Sequence, residues 1–208
     1  LGFLMDWMVD AFTTYLYGIK IIAITLAILM LISGVDDLFI DVVYWSRRIW
    51  RSLTTYKKHK HLSHKELYKP DEKPLAIMVP AWNETGVIGN MAELAATTLD
   101  YENYHIFVGT YPNDPDTQRD VDEVCARFPN IHKVVCARPG PTSKADCLNN
   151  VLDAILQFEQ SANFKFSGFI LHDAEDVISP MELRLFNYLV ERKDLIQIPV
   201  YPFERPWT

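Results

Sequence analysis

Short apolar runs alternate with amphipathic segments from residue 75 to the end of the chain. The runs have the length of strands, and they are residues 75–79, 105–109, 132–136, 169–171 and 195–198. The segments between them have helical periodicity, and they are residues 85–99, 117–128, 143–159 and 181–192. This alternation predicts an α/β fold, in which helices flank a mostly parallel sheet and ligands bind at the carboxyl ends of the strands. In the third of these helices we expect four side chains to face the core, namely Ala145, Leu148, Leu152 and Ile155.

A different pattern occupies residues 16–35, which are almost wholly apolar. Lys20 is the one charged residue in these twenty positions. A helix of about twenty apolar residues crosses a hydrocarbon core of roughly 30 Å, so the pattern predicts a transmembrane helix with Lys20 reaching toward the interface. A cleaved signal peptide is the alternative. It is disfavoured because the leader carries Asp6 and Asp10 in place of basic residues, and no small-x-small cleavage site follows.

After this span, apolar residues recur at helical spacing, and basic residues fall on the opposite side of the same predicted helix. One side would carry Leu38, Val42, Trp45, Ile49 and Leu53, and the other Arg47, Arg48 and Arg51. The pattern predicts an amphipathic helix in the membrane interface, with an ordinary core helix as the alternative. The prolines at both ends of residues 70–74 indicate a linker. We therefore expect an anchor over residues 1–35, a juxtamembrane segment over 36–74 and a folded domain over 75–208.

Charge is distributed unevenly about the span. Acidic residues precede it, and basic residues follow it at Arg47, Arg48, Arg51, Lys57, Lys58, Lys60, Lys65 and Lys69. By the positive-inside rule, this asymmetry predicts that the folded domain lies in the cytoplasm. The net charge of −7, with the basic residues concentrated beside the span, argues against a nucleic-acid partner.

The cysteines and clustered histidines do not indicate a metal centre. Cys125, Cys136 and Cys147 form no Cys-x-x-Cys pair, and their odd number fits a reducing compartment better than a disulfide framework. The other cluster consists of His59, His61 and His64. It lies in a lysine-rich stretch without carboxylate or thiol ligands, so we interpret it as a solvated basic face.

Three carboxylates follow the fourth apolar run, at Asp173, Glu175 and Asp176. Carboxylates this close repel one another, so a hard divalent cation that carries phosphate oxygens is a natural counter-charge. The alternative is an acidic, solvated turn. The apolar run before the cluster, together with polar segments at the other strand ends, favours the cation site.

Two further segments at strand ends carry candidate chemistry. Trp82 and Glu84 follow Pro80 after the first run, and they offer a nucleobase a stacking surface and a hydrogen-bonding group. Lys144 lies in the first turn of the third helix, where a cation and a helix N-terminus together suit a phosphate. The alternatives are a buried tryptophan at a helix start and an ordinary surface lysine.

These segments, in this order, resemble family 2 of the inverting glycosyltransferases. They read Val-Pro-Ala-Trp-Asn-Glu at residues 79–84, Ser-Lys-Ala-x-x-Leu-Asn at 143–149 and Asp-Ala-Glu-Asp-x-Ile-x-Pro at 173–180. With the predicted span, the chain looks most like the processive membrane-bound branch related to cellulose and hyaluronan synthases. Two unusual segments, Gly-Thr-Tyr-Pro-Asn-Asp and Asp-Ala-Glu-Asp, narrow the resemblance to one membrane-bound subgroup. The resemblance implies a GT-A fold over residues 75–208.

The resemblance also implies roles for individual residues. Trp82 and Glu84 would hold the nucleoside, and Lys144 would contact the nucleotide and its diphosphate. Asp173 would contact the nucleotide-sugar region, and Glu175 would bind Mg²⁺ or Mn²⁺ in the place of the second Asp of the Asp-x-Asp motif. The implied location is the bacterial inner membrane. The implied partners are a nucleotide-diphosphate sugar, a glycan acceptor, the lipid bilayer and an outer-membrane partner for export.

Residues 109–114 depart from the family pattern, which has Asp-Asp-Gly-Ser after the second strand. The contact with the base would then fall to Thr110, Asn113 or Asp114, or be lost. The family's catalytic base and acceptor motifs are expected beyond Thr208. We therefore expect these 208 residues to hold the anchor and the donor-binding half of a catalytic domain.

Two other functions stay open. A degenerate, non-catalytic relative could act as a membrane scaffold or binding subunit, and the altered segment 109–114 and Glu175 motivate that alternative. A sugar-1-phosphate nucleotidyltransferase would share the fold. That enzyme needs a glycine-rich loop after the first strand, and residues 81–84 do not form one.

Overall fold

The computed structural model describes residues 2–58 and 62–201, with side chains from residue 7 onward. The chain divides into two compact units, Leu1–His61 and Leu62–Thr208. Of the residues discussed above, His59, Lys60 and His61 lie outside the described part of the chain.

The first unit is dominated by a single helix, α1 (Gly2–Leu53), which is followed by the short α2 (Thr55–Lys58). All side chains described between residues 7 and 53 are exposed, so none of the described apolar residues of α1 is buried within the unit. The helix is long and apolar enough to cross a membrane. The sequence suggested two helices here, whereas the structure has one, because no proline interrupts residues 16–53.

The second unit is built on a four-stranded parallel sheet with the order β3-β2-β1-β4. Its strands are β1 (Leu75–Pro80), β2 (Tyr104–Thr110), β3 (Ile131–Val135) and β4 (Gly168–Leu171). Its helices are α3 (His64–Leu67), α4 (Ile88–Thr98), α5 (Pro115–Arg127), α6 (Lys144–Ala162) and α7 (Glu182–Leu189). The predicted fold class, the parallel pairing and the first four predicted strands are confirmed.

The core lies on both faces of the sheet. On one face, alternate residues of β1 such as Ile77 and Val79 pack with apolar residues of α4, α5 and α7. On the other face, Ala76 and Phe107 pack against Val151 and Ile155 of α6. Because both faces of β1 are covered, this strand is a continuous apolar run, as expected for a buried parallel strand.

The fifth predicted strand is wrong: residues 195–198 form no strand. Their alternating pattern is nevertheless obeyed, since Ile196 and Ile198 pack on the core, while Leu195 is 88% exposed and Gln197 is exposed as well. Alternation reports which side chains are buried, but a strand also needs a neighbouring backbone to pair with. Within the described residues, this segment pairs with none.

The buried side of α6 also differs from the prediction. Cys147, Val151 and Ile155 are buried, whereas Ala145 is exposed and Leu148 and Leu152 are only partly buried. The reason is a close approach to β2. A Cβ atom on Gly109 would lie 2.5 Å from Cys147 Sγ and 2.7 Å from Val151 Cγ2, so α6 packs directly over this glycine. The start of α6, which carries Lys144, is thereby held at the carboxyl end of the sheet.

Candidate active site

The turn after β1 is shaped by hydrogen bonds from the start of α5. Asn83 has a left-handed backbone, with φ of 57°, and its N–H donates to Asp114 Oδ2 at 2.7 Å. The N–H of Glu84 donates to Thr117 Oγ1 at 3.1 Å. Asp114 also caps α5 by accepting the N–H of Thr117. These contacts hold Trp82 and Glu84 at the carboxyl end of the sheet.

Trp82 forms an aromatic wall. Its ring meets the ring of Tyr111 edge to face, with centroids 5.1 Å apart. The indole also lies against Gly140, where a Cβ atom would come within 2.4 Å of it. Tyr111 is buried, and its hydroxyl lies 2.8 Å from Thr142 Oγ1. Burial raises the pKa of Tyr111 above the ordinary range of a tyrosine, so its hydroxyl stays a hydrogen-bond donor even at alkaline pH.

Lys144 and Asp173 meet across the same region. Lys144 is the first residue of α6, whose N-cap is Ser143, and Asp173 follows β4 by two residues. Their side chains form an ion pair, and both are about half exposed. A cation and a carboxylate are therefore both accessible at the carboxyl end of the sheet.

The three carboxylates of residues 173–176 do not point the same way. Glu175 is exposed and Asp173 is partly buried. Asp176 Oδ2, by contrast, accepts the N–H of Asp173 at 2.8 Å and lies 3.4 Å from His172 Nδ1. His172 Nε2 lies 2.7 Å from Oε1 of the buried Glu182. Burial lowers the pKa of His172, but the carboxylates of Glu182 and Asp176 outweigh it, and the pKa is raised.

A cleft of about 330 Å³ gathers these groups. It is lined by Pro80, Ala81, Trp82, Glu84, Tyr111, Thr142, Lys144, Asp173, Ala174 and Glu175. The cleft therefore brings together the five residues to which the sequence analysis gave a role in binding the nucleotide sugar or the cation, namely Trp82, Glu84, Lys144, Asp173 and Glu175. Tyr111 and Thr142 also line the cleft and were missed, although Tyr111 directly follows β2 and could have been found from its position at a strand end.

The three residues considered for the base contact are all used within the fold. Thr110 is fully buried and donates to the carbonyl of Val134 at 3.3 Å. Asn113 holds Gly140 from two sides, accepting its N–H and donating to its carbonyl, each at 2.7 Å. Asp114 is occupied by the turn after β1. The structure thus gives these side chains supporting roles around the cleft.

Two carboxylates in the cleft fit a hard cation. Among the residues described, no three His, Cys, Asp or Glu side chains converge as a ready-made metal site. Asp173 and Glu175 nevertheless line the cleft together. Mg²⁺ in nucleotide sites is commonly held by one or two carboxylates, with phosphate oxygens and water completing the coordination. The donor set therefore suits a cation that arrives with a phosphorylated ligand.

Two known proteins are highly similar to this chain in sequence. The chain is 85% identical over 204 residues to bacteriophage adsorption protein B of Escherichia coli K12, and equally to bacteriophage N4 adsorption protein B of Escherichia coli O157:H7. Each alignment covers 98% of this chain and 27% of the relative, so the chain spans about a quarter of the length of these proteins. The narrower resemblance seen in the two unusual segments is thereby confirmed.

The family assignment rests on a longer match than the three motifs. Residues 70–201 fit the family described as glycosyltransferase like family 2. They include β1 to β4, α4 to α7 and every residue that lines the cleft. Because the match covers more than half of the chain, the protein belongs to glycosyltransferase-like family 2.

Proposed function

We propose that this protein is a membrane-anchored, inverting glycosyltransferase of hexosyl type that uses a nucleotide-diphosphate sugar to build a cell-surface or exported polysaccharide. One observation carries the proposal: an aromatic wall, a lysine and two accessible carboxylates line one cleft at the carboxyl ends of parallel strands. A base, a diphosphate and a divalent cation need these three kinds of partner. Membership of the family supports the same class of reaction.

The Trp82 side of the cleft suits the nucleoside. An indole held by Tyr111 and Gly140 is a preformed stacking surface, so little ordering is needed when a base binds. Glu84 lies beside it, and its carboxylate can accept hydrogen bonds from a ribose hydroxyl or a base N–H. The cleft volume of about 330 Å³ is within the range of small-molecule sites.

The Lys144 side suits the diphosphate. The ion pair of Lys144 with Asp173 is half exposed, and such a pair contributes at most about 1 kcal/mol. A diphosphate offers Lys144 a partner of higher charge, and the first N–H groups of α6 add donors nearby. Exchange of partners would release Asp173 from the lysine.

Asp173 and Glu175 would hold Mg²⁺ or Mn²⁺, whose charge would stabilise the leaving diphosphate. Glu175 is one methylene longer than the usual aspartate but carries the same charge and ligand atoms. In an inverting transfer, a general base removes the proton of the acceptor hydroxyl as it attacks the sugar. We assign only donor-side roles to the residues of the cleft.

Helix α1 and the names of the two relatives suggest the remaining partners, which are the lipid bilayer, a glycan acceptor and an export partner. Helix α1 supports anchoring in a lipid bilayer, with the family 2 domain on the cytoplasmic side of the inner membrane. The names of both relatives concern bacteriophage adsorption. A glycan displayed at the cell surface fits such a name, with a glycan acceptor and an outer-membrane partner for export.

A non-catalytic scaffold is the second candidate. The segment after β2 favours it, because Thr110, Asn113 and Asp114 support the fold where the family has an aspartate for the base. A scaffold of this kind would keep the cleft but would not need to bind a donor. Nucleotide binding therefore separates the two candidates.

Titration calorimetry on the full-length protein in detergent tests the proposal, with UDP, GDP, ADP and dTDP in the presence and absence of Mn²⁺. We expect Asp173→Ala and Glu175→Ala each to weaken Mn²⁺-dependent binding by at least about tenfold, or about 1.4 kcal/mol. Glu191→Gln is the control, because Glu191 is exposed and pairs with Lys73, away from the cleft residues.

Incorporation of radiolabelled sugar by the same preparation tests turnover. Binding of one nucleoside diphosphate together with incorporation would support the enzyme. A folded protein that binds none of the four would favour the scaffold, and equal binding by both alanine variants and the control would remove the carboxylates from the donor site.

A further inference from the structure

We propose that His172 and Glu182 are a buried positioning pair that acts through Asp176 to hold the turn of residues 173–176, so that Asp173 and Glu175 face the cleft. The inference rests on the proposed function. It assigns Asp176 to the support of the cation site and removes it from the set of cation ligands.

A chain of polar contacts links α7 to the backbone of the acidic turn. Glu182 is the first residue of α7, and its Oε1 lies 2.7 Å from His172 Nε2. The other ring nitrogen, Nδ1, lies 3.4 Å from Asp176 Oδ2. That oxygen accepts the N–H of Asp173 at 2.8 Å. One imidazole ring therefore connects the first turn of α7 with the residue that lines the cleft.

Burial makes this arrangement difficult to explain by packing alone. His172 and Glu182 are only 8% and 6% exposed, and their neighbours Ile170 and Leu183 belong to the apolar core. Taking a carboxylate and an imidazole out of water costs several kcal/mol unless each keeps a good partner, and apolar side chains of similar volume often stabilise such a place as well or better. We therefore infer that His172 and Glu182 are polar because they orient the turn of residues 173–176.

The backbone of His172 is fixed to the sheet, while its ring contacts Glu182 of α7. The N–H of His172 donates to the carbonyl of Met78 in β1 at 3.1 Å, and the turn closes with the N–H of Asp176 donating to the carbonyl of Asp173 at 3.2 Å. Within the described fold, Asp176 Oδ2 is contacted by His172 Nδ1 and by the N–H of Asp173. Glu175 is left exposed and Asp173 borders the cleft.

Two substitutions of Asp176 distinguish positioning from ligation. Asparagine keeps an oxygen that can accept the N–H of Asp173 but loses the negative charge that makes a carboxylate the stronger ligand of a hard cation, whereas alanine loses both. We expect the Mn²⁺ concentration for half-maximal nucleoside diphosphate binding to stay within about twofold for Asp176→Asn and to rise about tenfold for Asp176→Ala, as for other residues that orient metal ligands. An equal loss in the two variants would make Asp176 a ligand and overturn the proposal.

A double substitution of His172 and Glu182 tests whether this pair holds the turn of residues 173–176. His172→Leu combined with Glu182→Met replaces both groups by apolar side chains, so the protein should fold with a thermal midpoint near the original. Its Mn²⁺ requirement should still rise about tenfold, because the turn has lost its support. An unchanged requirement would assign the pair to packing only. If the double variant does not fold, the two Asp176 variants still decide.

Hydrogen exchange of the Asp173 amide gives a measurement that needs no ligand. Without nucleotide or metal, this amide should exchange faster in Asp176→Ala and in the double variant, and at the original rate in Asp176→Asn and in the Glu191→Gln control. Equal exchange in all of these proteins would overturn the proposal. If the unmodified protein binds no nucleoside diphosphate, the proposed function fails, while the exchange rates still decide whether the turn is held in this way.

Discussion

Single residues around the cleft are held at distances that leave little freedom. Gly140 shows this most directly, since a Cβ atom there would lie 2.4 Å from Trp82 Cζ3 and 2.9 Å from Tyr111 Cδ1. Asn113 binds both the N–H and the carbonyl of Gly140, so the backbone cannot easily retreat. A side chain at residue 140 would displace the indole of Trp82. The position of this ring therefore requires glycine at residue 140.

We therefore expect Gly140→Ala to weaken nucleoside diphosphate binding. Forcing one methyl group into a filled site costs about 1–3 kcal/mol, which is about fivefold to a hundredfold in affinity if Trp82 yields. Titration calorimetry measures the loss. Gly89→Ala is the matched control, because the nearest atom to its added Cβ would be 3.6 Å away, in ordinary contact. Unchanged affinity in Gly140→Ala would mean that Trp82 does not contact the nucleoside.

The cleft residues that could be predicted from the sequence are those next to the end of a strand or the start of a helix. Trp82, Lys144 and Asp173 follow strands or begin a helix, and parallel strands bring such positions to one edge of a sheet. Thr142 has no comparable signal, because its place depends on the path of the loop before α6. The inward orientation of Asp176 depends on Glu182, six residues further along, and on an imidazole whose role becomes visible only when α7 packs on the sheet.

At the scale of elements, hydrophobic periodicity predicted burial better than it predicted pairing or orientation. Residues 195–198 bury the correct side chains but have no strand beside them in the described structure. Helix α6 was predicted with nearly the right ends, but its buried stripe is set by Gly109, where the missing Cβ lets Cys147 approach β2. Such a contact joins two elements, so no pattern within one of them reveals it.

The amino-terminal halves of β2 and β3 carry a pair of histidines. His105 Nδ1 lies 2.9 Å from His132 Nε2, and the rings of Phe107 and Phe158 pack on His132 with centroids 4.7 Å and 4.9 Å away. Burial, and then the neighbouring His105, lower the pKa of His132 to about 4. The neutral ring is thus favoured in the folded protein, and this end of the sheet is sensitive to acid.

We expect the free energy of unfolding to fall as the pH is lowered from 6.5 to about 4. In that window the unfolded chain binds a proton at residue 132 that the folded chain does not, so acid favours unfolding, by about 1–3 kcal/mol near pH 4.5. Urea unfolding at pH 7.5 and pH 4.5 measures the change. The raised pKa of His172 acts in the opposite direction, and it does so equally in the unmodified protein and in His132→Phe. The difference between these two proteins therefore measures the contribution of the histidine pair, whose other member, His105, also has a pKa lowered by burial. An equal pH dependence in this variant would contradict the assignment.

At the scale of the whole molecule, the family 2 fold and the apolar helix are separate features of one chain. The helix α1 has 52 residues, which at 1.5 Å each is about 78 Å, far more than the roughly 30 Å of a hydrocarbon core. A perpendicular span over residues 16–35 therefore leaves residues 36–53 outside the hydrocarbon. Their exposed Trp45 and Trp50, beside Arg48 and Arg51, are suited to the headgroup region.

This division predicts which parts of the chain are accessible from each side of the membrane. A single cysteine at Asp10 should react with an impermeant maleimide in intact cells, whereas one at Lys58 should react only after the membrane is opened, because basic residues remain on the cytoplasmic side. The unsubstituted protein is the control for the native thiols, of which Cys136 and Cys147 are buried and Cys125 is partly buried. Labelling of Lys58→Cys but not Asp10→Cys in intact cells would reverse the orientation, and labelling of both would contradict a span between them.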